Sequence, residues 1–369
     1  MKLLIENFAQ IERASIDFGG SGDLTLLVGQ QATGKSLILQ WLKLTTDRSL
    51  VRSTWEKYSI NWKTKEEPLR PLDLFFGEGL GKGYTEGKTS IQLDAKQLTL
   101  DTLFDYAKGE KKSASNIPEL TYYIPAHRAL LLADGWPMAF QQHRIGTPFV
   151  ARAQSERLLQ WLNRSEKGIF PIQNRLQSSI RDRFNDAIFH GAQLNIDRAS
   201  HQSRLVLTAN QATEIPYMAW TAGQREFVPF LIALYELLPA GGVQRLGSVD
   251  TIVLEEPELG LHPRALFAVG VSILHLLARG YRVVVSSHSP LMVDFAWTLN
   301  RLRVANQRGK STERDYFKAF DLQSTPNNKK LVSALMHSKS RAYYLAYGKG
   351  QDGSTKVNSH DISDLRTYG

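Results

Sequence analysis

Long apolar runs, separated by short polar segments, dominate the later part of the chain. Between residues 225 and 289 four such runs follow one another, with the sequences REFVPFLIALYELL, VDTIVLEE, RALFAVGVSILHLLARG and YRVVVSSHS. The long runs, with apolar residues three and four apart, predict helices, and the short β-branched runs predict buried strands. Because strands that alternate with helices pair in parallel, the pattern predicts an α/β fold with a sheet flanked by helices.

Shorter strand-like and helical patterns fill the first part of the chain. Residues 1–28 alternate strand-like runs with turn signals such as GGSGD, and residues 36–46 show a helical pattern. Further along, residues 90–94 (SIQLD) and residues 121–132 (TYYIPAHRALLL) predict strands. The N-terminal strands are joined by turns, so we expect the sheet to be mixed rather than purely parallel.

Apolar residues recur every fourth position in the middle of the chain. The set consists of Ile172, Leu176, Ile180, Phe184 and Ile188. Residues four apart lie on one face of a helix, so the spacing predicts a helix that packs against the core rather than lining a ligand groove. Residues 192–220 then predict a hairpin or meander, and residues 341–365 predict a last hairpin and helix.

Composition excludes several classes of function. The 369 residues contain no cysteine, which rules out disulfides, thiolate metal sites and a cysteine nucleophile. No apolar run approaches the roughly 20 residues of a membrane span. Charged residues interrupt the apolar positions of the N-terminal segment, which argues against a signal peptide. We therefore expect a cytoplasmic protein that has no membrane partner.

The net charge of +9 is distributed unevenly. Residues 299–349 contain eleven Lys or Arg and three Asp or Glu. A basic surface attracts nucleic acid, but it also attracts acidic proteins. A solvated basic face without a partner is the simpler interpretation, so charge alone leaves DNA as one candidate ligand among others.

A glycine-rich segment, GQQATGKS, follows the strand-like run LTLLV and precedes a helical pattern. It fits the spacing G-x-x-x-x-G-K-[ST], in which backbone N–H groups turn inward around phosphate oxygens. The lysine of this motif reaches the β- and γ-phosphates, and the hydroxyl residue binds Mg²⁺. The predicted nucleotide-binding residues are Gly29, Gln30, Gln31, Ala32, Thr33, Gly34, Lys35 and Ser36, and Ser36 is also a predicted magnesium ligand.

Two later buried strands also end in polar residues. VDTIVLEE ends in Glu255 and Glu256, and VVVSSHS contains His288. Next to a phosphate-binding loop, one carboxylate can hold the water shell of Mg²⁺ and the following one can deprotonate an attacking water. A histidine at the same sheet edge would lie beside the γ-phosphate. We therefore predict Glu255 as a metal-binding residue, and Glu256, His288 and Lys35 as catalytic residues.

The segment WTAGQRE opens one of the predicted helices. A hydroxyl, small residues and unpaired N–H groups at a helix N-terminus form an anion site, which predicts Thr221, Gly223 and Gln224 as nucleotide contacts. One sheet cannot present both this segment and GQQATGKS to a single nucleotide. The contact is therefore expected from a second copy of the chain.

Taken together and in this order, the segments resemble those of ABC-class AAA-type ATPases. The similarity is to their soluble branch, which includes SMC and RecF heads and OLD-family ATPase domains. It covers most of residues 1–60 and 215–295 and includes NFAQIERASIDF and EEPELGLHP. The resemblance implies a P-loop fold, ATP and Mg²⁺ as ligands, and ATP hydrolysis. It further implies Glu256 as the catalytic base, His288 as the switch histidine, and residues 221–224 as contacts to the partner's ATP.

The chain departs from this family pattern at three positions. Glu255 stands where many ABC-class ATPases have aspartate, and Ala222 stands where their signature segment usually has glycine. No glutamine can be assigned to the Q-loop. Arg128, in YIPAHR, is a candidate phosphate- or metal-proximal residue in its place, and a surface arginine at a strand end is an equal alternative.

The predicted organisation has four parts. Residues 1–135 form a first ATPase lobe with the phosphate loop, 136–215 a mostly helical insertion with a hairpin, 216–300 a second ATPase lobe, and 301–369 a basic C-terminal extension. No long heptad tract occurs, so SMC arms are not expected. No D-x-D follows His288, so a Toprim nuclease domain is not expected either.

Three functions are compatible with these observations. The first is an ATP-driven dimeric switch that controls a separate effector protein, a role that the resemblance associates with bacterial anti-phage systems. The second is a RecF-type DNA repair or recombination clamp that uses the basic segment on phosphates. The third is a scaffold that binds ATP in order to dimerise and scarcely hydrolyses it.

Overall fold

Sixteen strands are assigned in the computed structural model, which describes residues 1–63, 66–104, 117–173, 175–198, 202–209, 213–238, 245–349 and 354–364. The ten strands of the main sheet are β1 (Lys2–Phe8), β2 (Ile11–Asp17), β3 (Leu24–Gly29), β4 (Ser90–Leu93), β5 (Lys96–Leu98), β6 (Thr121–Ile124), β13 (Thr251–Glu255), β14 (Arg282–Ser287), β15 (Ser340–Lys349) and β16 (Thr355–Asp361). Their spatial order is β5-β4-β1-β2-β16-β15-β3-β14-β13-β6. The predicted mixed sheet is therefore confirmed.

Five neighbouring strands, β15, β3, β14, β13 and β6, run parallel to one another. Every residue of β6 and β13 is buried, as expected where helices cover both faces of a parallel sheet. We call the edge where β3, β6, β13 and β14 end the carboxyl edge, and the edge where they begin the amino edge. Because the strands are parallel, the segments that follow them all emerge at the carboxyl edge.

Ten helices are described: α1 (Lys35–Lys57), α2 (Arg70–Phe76), α3 (Leu100–Phe104), α4 (Phe149–Arg164), α5 (Ser178–Phe184), α6 (Ala222–Leu237), α7 (Pro263–Ala278), α8 (Pro290–Gln307), α9 (Glu313–Ala319) and α10 (Pro326–Leu335). Two cores lie on opposite faces of the sheet. Leu27 of β3 belongs to the core that contains α1, whereas its neighbours Leu26 and Val28 belong to the core that contains α6 and α7. In the described part of the chain, no helix is both long and apolar enough to cross a bilayer.

A smaller antiparallel sheet contains β9 (Gly168–Phe170), β10 (Gln193–Asp197), β11 (Arg204–Ala209) and β12 (Thr213–Pro216). The meander predicted for residues 192–220 is thereby confirmed, although 199–201 and 210–212 lie outside the described residues. Strands β7 (Leu132–Ala133) and β8 (Trp136–Pro137) form a short separate hairpin.

The helix predicted from the four-residue repeat is wrong in its extent. Helix α5 covers only Ser178–Phe184 and continues into a π-helical turn at Asn185–Phe189. Ile172 and Leu176 precede the helix but still pack against the same core as Ile180. The regular spacing therefore reflects a shared buried face, which chain segments of different local conformation can provide.

The strand predicted for residues 121–132 is also shorter than expected. Strand β6 ends at Ile124, directly before Pro125, which has no N–H to donate to a sheet. His127 then adopts a left-handed conformation with φ of 50°, and a 3₁₀ turn follows at Arg128–Leu131. This sharp turn brings Arg128 back under the end of the sheet.

The C-terminal hairpin predicted from the sequence is present as β15 and β16, which pair antiparallel. It lies between β2 and β3, within the same sheet as the phosphate-loop strand. Residues 362–364 are not helical, so the helix predicted to follow the hairpin is not found there, and residues 350–353 and 365–369 lie outside the described residues. Part of the segment predicted as an extension thus supports the centre of the fold.

Candidate nucleotide site at the carboxyl edge

The glycine-rich segment forms a loop between β3 and α1, as its spacing predicted. Gly29 closes the strand with φ of 153°, and a Cβ atom there would lie only 2.6 Å from the carbonyl oxygen of Leu345. A larger residue would push the loop away from β15. Gly34 caps α1 in the left-handed region, so the helix starts at Lys35 with its N-terminal N–H groups facing the loop.

Lys35 points back into this loop. Its Nζ atom donates hydrogen bonds to the carbonyl oxygens of Gly29, at 3.1 Å, and Gln30, at 2.9 Å. Burial lowers the pKa of the Lys35 amine, while the nearby carboxylates of Glu256, Glu258 and Glu255 oppose that effect. The ammonium group thus lies near three acids but bonds to neutral carbonyls, which phosphate oxygens could replace.

Three side chains hold the carbonyl groups of the loop. Gln10 donates to Ala32 O at 3.0 Å, Tyr347 donates to Gln31 O at 3.3 Å, and Thr33 donates to Gln30 O at 2.8 Å. These bonds hold three carbonyls of the loop in place, and the backbone N–H groups of such a loop can bind an anion. Gln10 and Tyr347 come from opposite ends of the chain, and neither was singled out from the sequence, although Gln10 lies in the NFAQIERASIDF segment.

Glu255 ends β13 and is 3% exposed. Its Oε2 atom accepts a hydrogen bond from the N–H of Ala126 at 3.0 Å, and its Oε1 atom is buried with no partner of good hydrogen-bond geometry among the described residues. Burial raises the pKa of the Glu255 carboxyl, and the N–H of Ala126 and the hydroxyls of Ser36 and Tyr123 act in the opposite direction. Ser36 and Glu255, predicted as magnesium ligands from distant motifs, are therefore adjacent.

These residues fit a magnesium ion bound together with nucleotide. Mg²⁺ at phosphate sites is usually held by one or two protein oxygens, phosphates and water. The Ser36 hydroxyl lies beside a buried oxygen of Glu255 that has no partner of good hydrogen-bond geometry among the described residues, and together they supply such a donor set. Among the described residues there is no cluster of three or more His, Cys, Asp or Glu that could hold a metal by itself.

Glu256 and His288 meet at the same edge. The Nε2 atom of His288 lies 3.0 Å from Oε1 of Glu256, and both side chains are partly exposed, at 30% and 20%. Glu256 has a positive φ of 41°, a conformation that non-glycine residues rarely adopt, and its N–H donates to Ser286 O at 2.9 Å. The strained backbone turns the carboxylate toward the histidine.

Glu258 was not singled out by the motifs, although it lies in the EEPELGLHP segment. Its Oε1 atom accepts hydrogen bonds from the Ser287 hydroxyl, at 2.8 Å, and from the His288 N–H. These contacts tie the segment after β13 to the end of β14 and fix the backbone of His288. Glu258 is half-buried, and its contacts with the end of β14 could be found only from the fold.

The TAGQ segment starts helix α6 as predicted. Thr221 and Gln224 form a reciprocal capping box, with Thr221 Oγ1 accepting from Gln224 N at 3.2 Å and Gln224 Oε1 accepting from Thr221 N at 3.1 Å. A Cβ atom on Gly223 would lie 2.6 Å from the carbonyl oxygen of Gly260, so this position requires glycine. In the described residues no hydrogen bond or ion pair joins 221–224 to the loop at 29–36. Thr221 and Ala222 are exposed.

The structure contradicts one of the two interpretations of Arg128 from the sequence, the surface arginine. Arg128 is 2% exposed, so it is not a surface residue. All three of its nitrogen atoms donate to backbone carbonyls, those of Pro125, Glu226, Glu255 and Glu256, and a position close to a phosphate or metal stays a prediction. The left-handed conformation of His127 after β6 places the Arg128 side chain at the end of the sheet. No local sequence pattern predicts this position.

Comparison with known proteins extends these observations. Over 67 residues the chain is 34% identical to the Old nuclease of Escherichia phage P2, a match that covers 18% of this chain and 11% of the nuclease. The chain therefore spans about a tenth of the length of that relative.

Similar solved structures include an SMC head bound to the C-winged helix domain of ScpA, with a TM-score of 0.42, 10% identity and coverage of 99% of this chain and 98% of the other. The SMC head domain from Thermotoga maritima has a TM-score of 0.36 at 10% identity, covering 96% and 97% of the two chains. An ATP-binding subunit of an ABC transporter has a TM-score of 0.33 at 12% identity, covering 90% and 99%. Likenesses of this size are too remote to carry an argument about the site.

A family model covers residues 24–294, which include the phosphate loop, the acidic strand and the histidine strand. Its description is "AAA domain, putative AbiEii toxin, Type IV TA system". Since this match spans well over half of the chain and contains the phosphate loop, the TAGQ segment, the acidic strand and the histidine strand, the chain belongs to this AAA-domain family.

Proposed function

We propose that the protein is a Mg²⁺-dependent ATP hydrolase whose site is completed by a second copy of the chain, and that the resulting dimer switches a partner effector protein. One observation carries the proposal: the phosphate loop, Glu255, Glu256 and His288 converge at the carboxyl edge, with 3.0 Å between His288 Nε2 and Glu256 Oε1. This is the arrangement required to bind a triphosphate and to activate a water next to it.

Binding of the phosphates is assigned to the loop and Lys35. The loop N–H groups and the N-terminus of α1 favour negative charge, and Lys35 exchanges its two carbonyl contacts for phosphate oxygens. Ser36 and Glu255 would hold Mg²⁺, which neutralises phosphate charge when bound. Burial lowers the pKa of the Lys35 amine, and the carboxylates of Glu256, Glu258 and Glu255 oppose that effect.

Activation of water is assigned to Glu256. Its carboxylate is partly exposed and turned toward the edge, so it can accept a proton from a water that approaches the γ-phosphate. His288 holds the carboxylate through Nε2, and Glu258 fixes the backbone N–H of His288. His288 and Glu258 therefore orient the carboxylate of Glu256, and His288 also faces the phosphate.

The dimeric part of the proposal is supported by the start of α6. Thr221 and Ala222 are exposed at a helix N-terminus, and segment 221–224 makes no bond to the loop of its own chain in the described residues. An anion of a second protomer suits such a helix end. Closure on ATP and opening after hydrolysis would then change the distance between two protomers, which is the signal passed to the effector.

A role in anti-phage defence, with the effector encoded separately, is the biological form of this proposal. It is supported by the family description, which names a toxin of a type IV toxin–antitoxin system, and by the partial match to a phage nuclease. Plaque counts on cells that carry the native locus test it: replacing Glu256 by Gln should abolish protection if the switch must cycle.

The central experiment compares wild type with Glu256→Gln. We expect the variant to lose hydrolysis by about 10²- to 10⁴-fold, since it loses a general base, while it still binds ATP and accumulates as a dimer. Turnover is measured as phosphate release with and without Mg²⁺, and mass by light scattering with and without ATP. A variant that hydrolyses ATP at the wild-type rate would overturn the assignment of the base. A wild type without turnover would favour the scaffold.

A DNA-binding clamp is the second candidate, and a basic groove favours it. The groove has a volume of about 620 Å³ and lies between α8 and the start of β15, toward the amino edge. It contains five cations that form no ion pair among the described residues: Arg301, Arg303, Arg308, Lys310 and Lys339. Binding of duplex DNA that is weakened by salt and strengthened by ATP would support the clamp. If the protein has no measurable affinity for DNA, the dimeric switch is the remaining candidate.

A further inference from the structure

We propose that Arg128 is a positioning residue that couples the start of helix α6 to the backbone of the catalytic Glu256. In this role, movement of the α6 N-terminus against a partner's nucleotide changes the orientation of the base in the same chain. The inference rests on the proposed function, because it concerns how the two halves of that site communicate.

The geometry of the guanidinium group supports the coupling. Arg128 Nε donates to Glu226 O at 2.9 Å, Nη1 donates to Glu255 O at 2.8 Å, and Nη2 reaches Glu256 O at 3.3 Å. A further bond from Nη1 to Pro125 O, at 3.2 Å, anchors the group to the end of β6. A guanidinium is planar and rigid, so carbonyls bound to its different nitrogens cannot move independently of one another.

The guanidinium group of Arg128 is buried, and its hydrogen bonds compensate the cost of burying its charge. A fully buried cation is costly unless it is compensated, and here four carbonyl dipoles and the Glu226 carboxylate, 3.9 Å from Nε, compensate it. Glu226 Oε2 is itself buried without a hydrogen bond among the described residues. A lysine would keep the charge but lose the fork that reaches α6 and β13 at once.

The backbone of Glu256 has an unfavourable conformation that hydrogen bonds must stabilise. With φ of 41°, this residue is held in a conformation that is unfavourable for a non-glycine residue and persists only when its surroundings impose it. Its carbonyl accepts from Arg128 Nη2 and from Leu259 N, at 3.2 Å. Releasing the first bond would let the peptide rotate and move the carboxylate away from His288.

The start of α6 is placed to drive this change. Glu226, whose carbonyl Arg128 binds, lies one helical turn after the exposed Ala222. Gly223 packs tightly on Gly260, four residues after Glu256, which gives a second mechanical contact between the same two segments. A movement of the α6 N-terminus can therefore reach Glu256 through two contacts. Arg128 provides the hydrogen-bonded contact, and the packing of Gly223 on Gly260 provides the other.

The test compares Arg128→Lys with wild type in the full chain. We expect kcat for ATP hydrolysis to fall at least thirtyfold while the Kd for a fluorescent ATP analogue changes less than threefold, because Arg128 makes no bond to the phosphate loop. The matched control is Glu236→Gln, on the same helix, where the carboxylate accepts from Tyr122 at 2.8 Å and makes no contact with Glu256. Its kcat should stay within twofold of wild type.

Two additions keep the result decisive if Arg128→Lys folds poorly or if the wild type hydrolyses no ATP. Glu226→Gln removes only the nearby carboxylate charge and should lower kcat about threefold at unchanged analogue affinity. Hydrogen exchange without nucleotide is the second readout. In Arg128→Lys, amides of 222–228 and 255–261 should lose protection together, and in Glu236→Gln the 255–261 amides should not.

The outcomes separate the inference from the proposed function. A wild type without turnover contradicts the proposed function, and the exchange data then decide the coupling. An unchanged kcat in Arg128→Lys overturns the coupling and leaves the ATPase intact. Equal losses of analogue affinity and kcat, or loss of protection confined to one of the two segments, would show a purely structural role and would also overturn it.

Discussion

The two edges of the parallel sheet treat buried charge in opposite ways. At the carboxyl edge, Lys35 donates only to neutral carbonyls, and one oxygen each of Glu255 and Glu258 is buried without a hydrogen bond among the described residues. At the amino edge, Lys43 Nζ donates to Asp47 at 2.7 Å, to Glu119 at 2.8 Å and to a backbone carbonyl. The first edge keeps bonding capacity for a ligand, whereas the second uses it within the fold.

The amino-edge network is extensive. Asp47 interrupts the helical geometry of α1 and accepts from the N–H groups of residues 120 and 121, and so ties the phosphate-loop helix to the start of β6. Glu119 also pairs with Arg157 of α4, which lies 3.5 Å from Glu236 of α6. The same residue types thus appear at both edges, and the completeness of their pairing distinguishes a structural network from a site.

Arg128 and Arg157 show the same contrast within one residue type. Arg157 binds carboxylates, which raise the pKa of its guanidinium in spite of burial. Arg128 binds four carbonyls, and burial lowers the pKa of its guanidinium. Both contact α6, one at its start and one near its end, so the helix is fixed to the sheet at two points of different character.

The largest effect is expected from Lys35→Ala at the carboxyl edge. Loss of the ammonium group should weaken binding of an ATP analogue by about a hundredfold or more, because a hydrogen bond to a charged group contributes up to about 3 kcal/mol. Hydrolysis should fall below detection. Calorimetric titration measures the affinity, and urea unfolding should show a nearly unchanged free energy. If Lys35→Ala lost stability but kept its affinity for the ATP analogue, Lys35 would have a structural role and not a ligand-binding one.

At the amino edge we expect the opposite result from Lys43→Met. Removing the cation leaves Asp47 and Glu119 buried beside each other, which should lower the free energy of unfolding by about 3–5 kcal/mol. Affinity for the ATP analogue, measured below the unfolding temperature, should change less than threefold. If affinity fell as much as in Lys35→Ala, the two edges would not be functionally separate.

His275, near the end of α7, is expected to change stability in acid rather than ligand binding. Burial, and then the charge of Arg279, lower the pKa of this imidazole to about 4 from 6.5. Between these values the unfolded chain binds a proton that the folded chain does not, so stability falls as pH drops through this window. The full contribution is about 3 kcal/mol. The free energy of unfolding in urea should differ less between pH 4.5 and pH 7 in His275→Gln than in wild type. An equal difference in both proteins would contradict the lowered pKa of His275.

Local sequence determined the parts of the site in which one segment is enough. The loop from Gly29 to Ser36 is contiguous, and its glycines, lysine and hydroxyl can be recognised wherever a strand precedes and a helix follows. Glu255, Glu256 and His288 could be placed together because they end buried strands, and parallel strands end at one edge. The α/β fold followed from the same alternation of strands and helices.

Other features depended on pairing between distant segments. Strand β15 pairs with β3 although more than 300 residues separate them, and only the packing of the whole sheet selects such a partner. The repeat from Ile172 to Ile188 predicted one helix because apolar spacing reports a buried face and not the conformation that provides it. Arg128 was misplaced for a related reason: its acceptors are backbone carbonyls, which every residue carries and no motif marks.

The sequence by itself therefore predicted the residues of the candidate site, since the loop, the paired acids and the histidine each lie in a short segment with its own signature. The tertiary structure decided how those segments are held: by Gln10 and Tyr347 on the loop, by Glu258 on His288 and by Arg128 on Glu256. The physical reason is that binding groups act locally, whereas their supports are hydrogen bonds between residues that folding alone brings together.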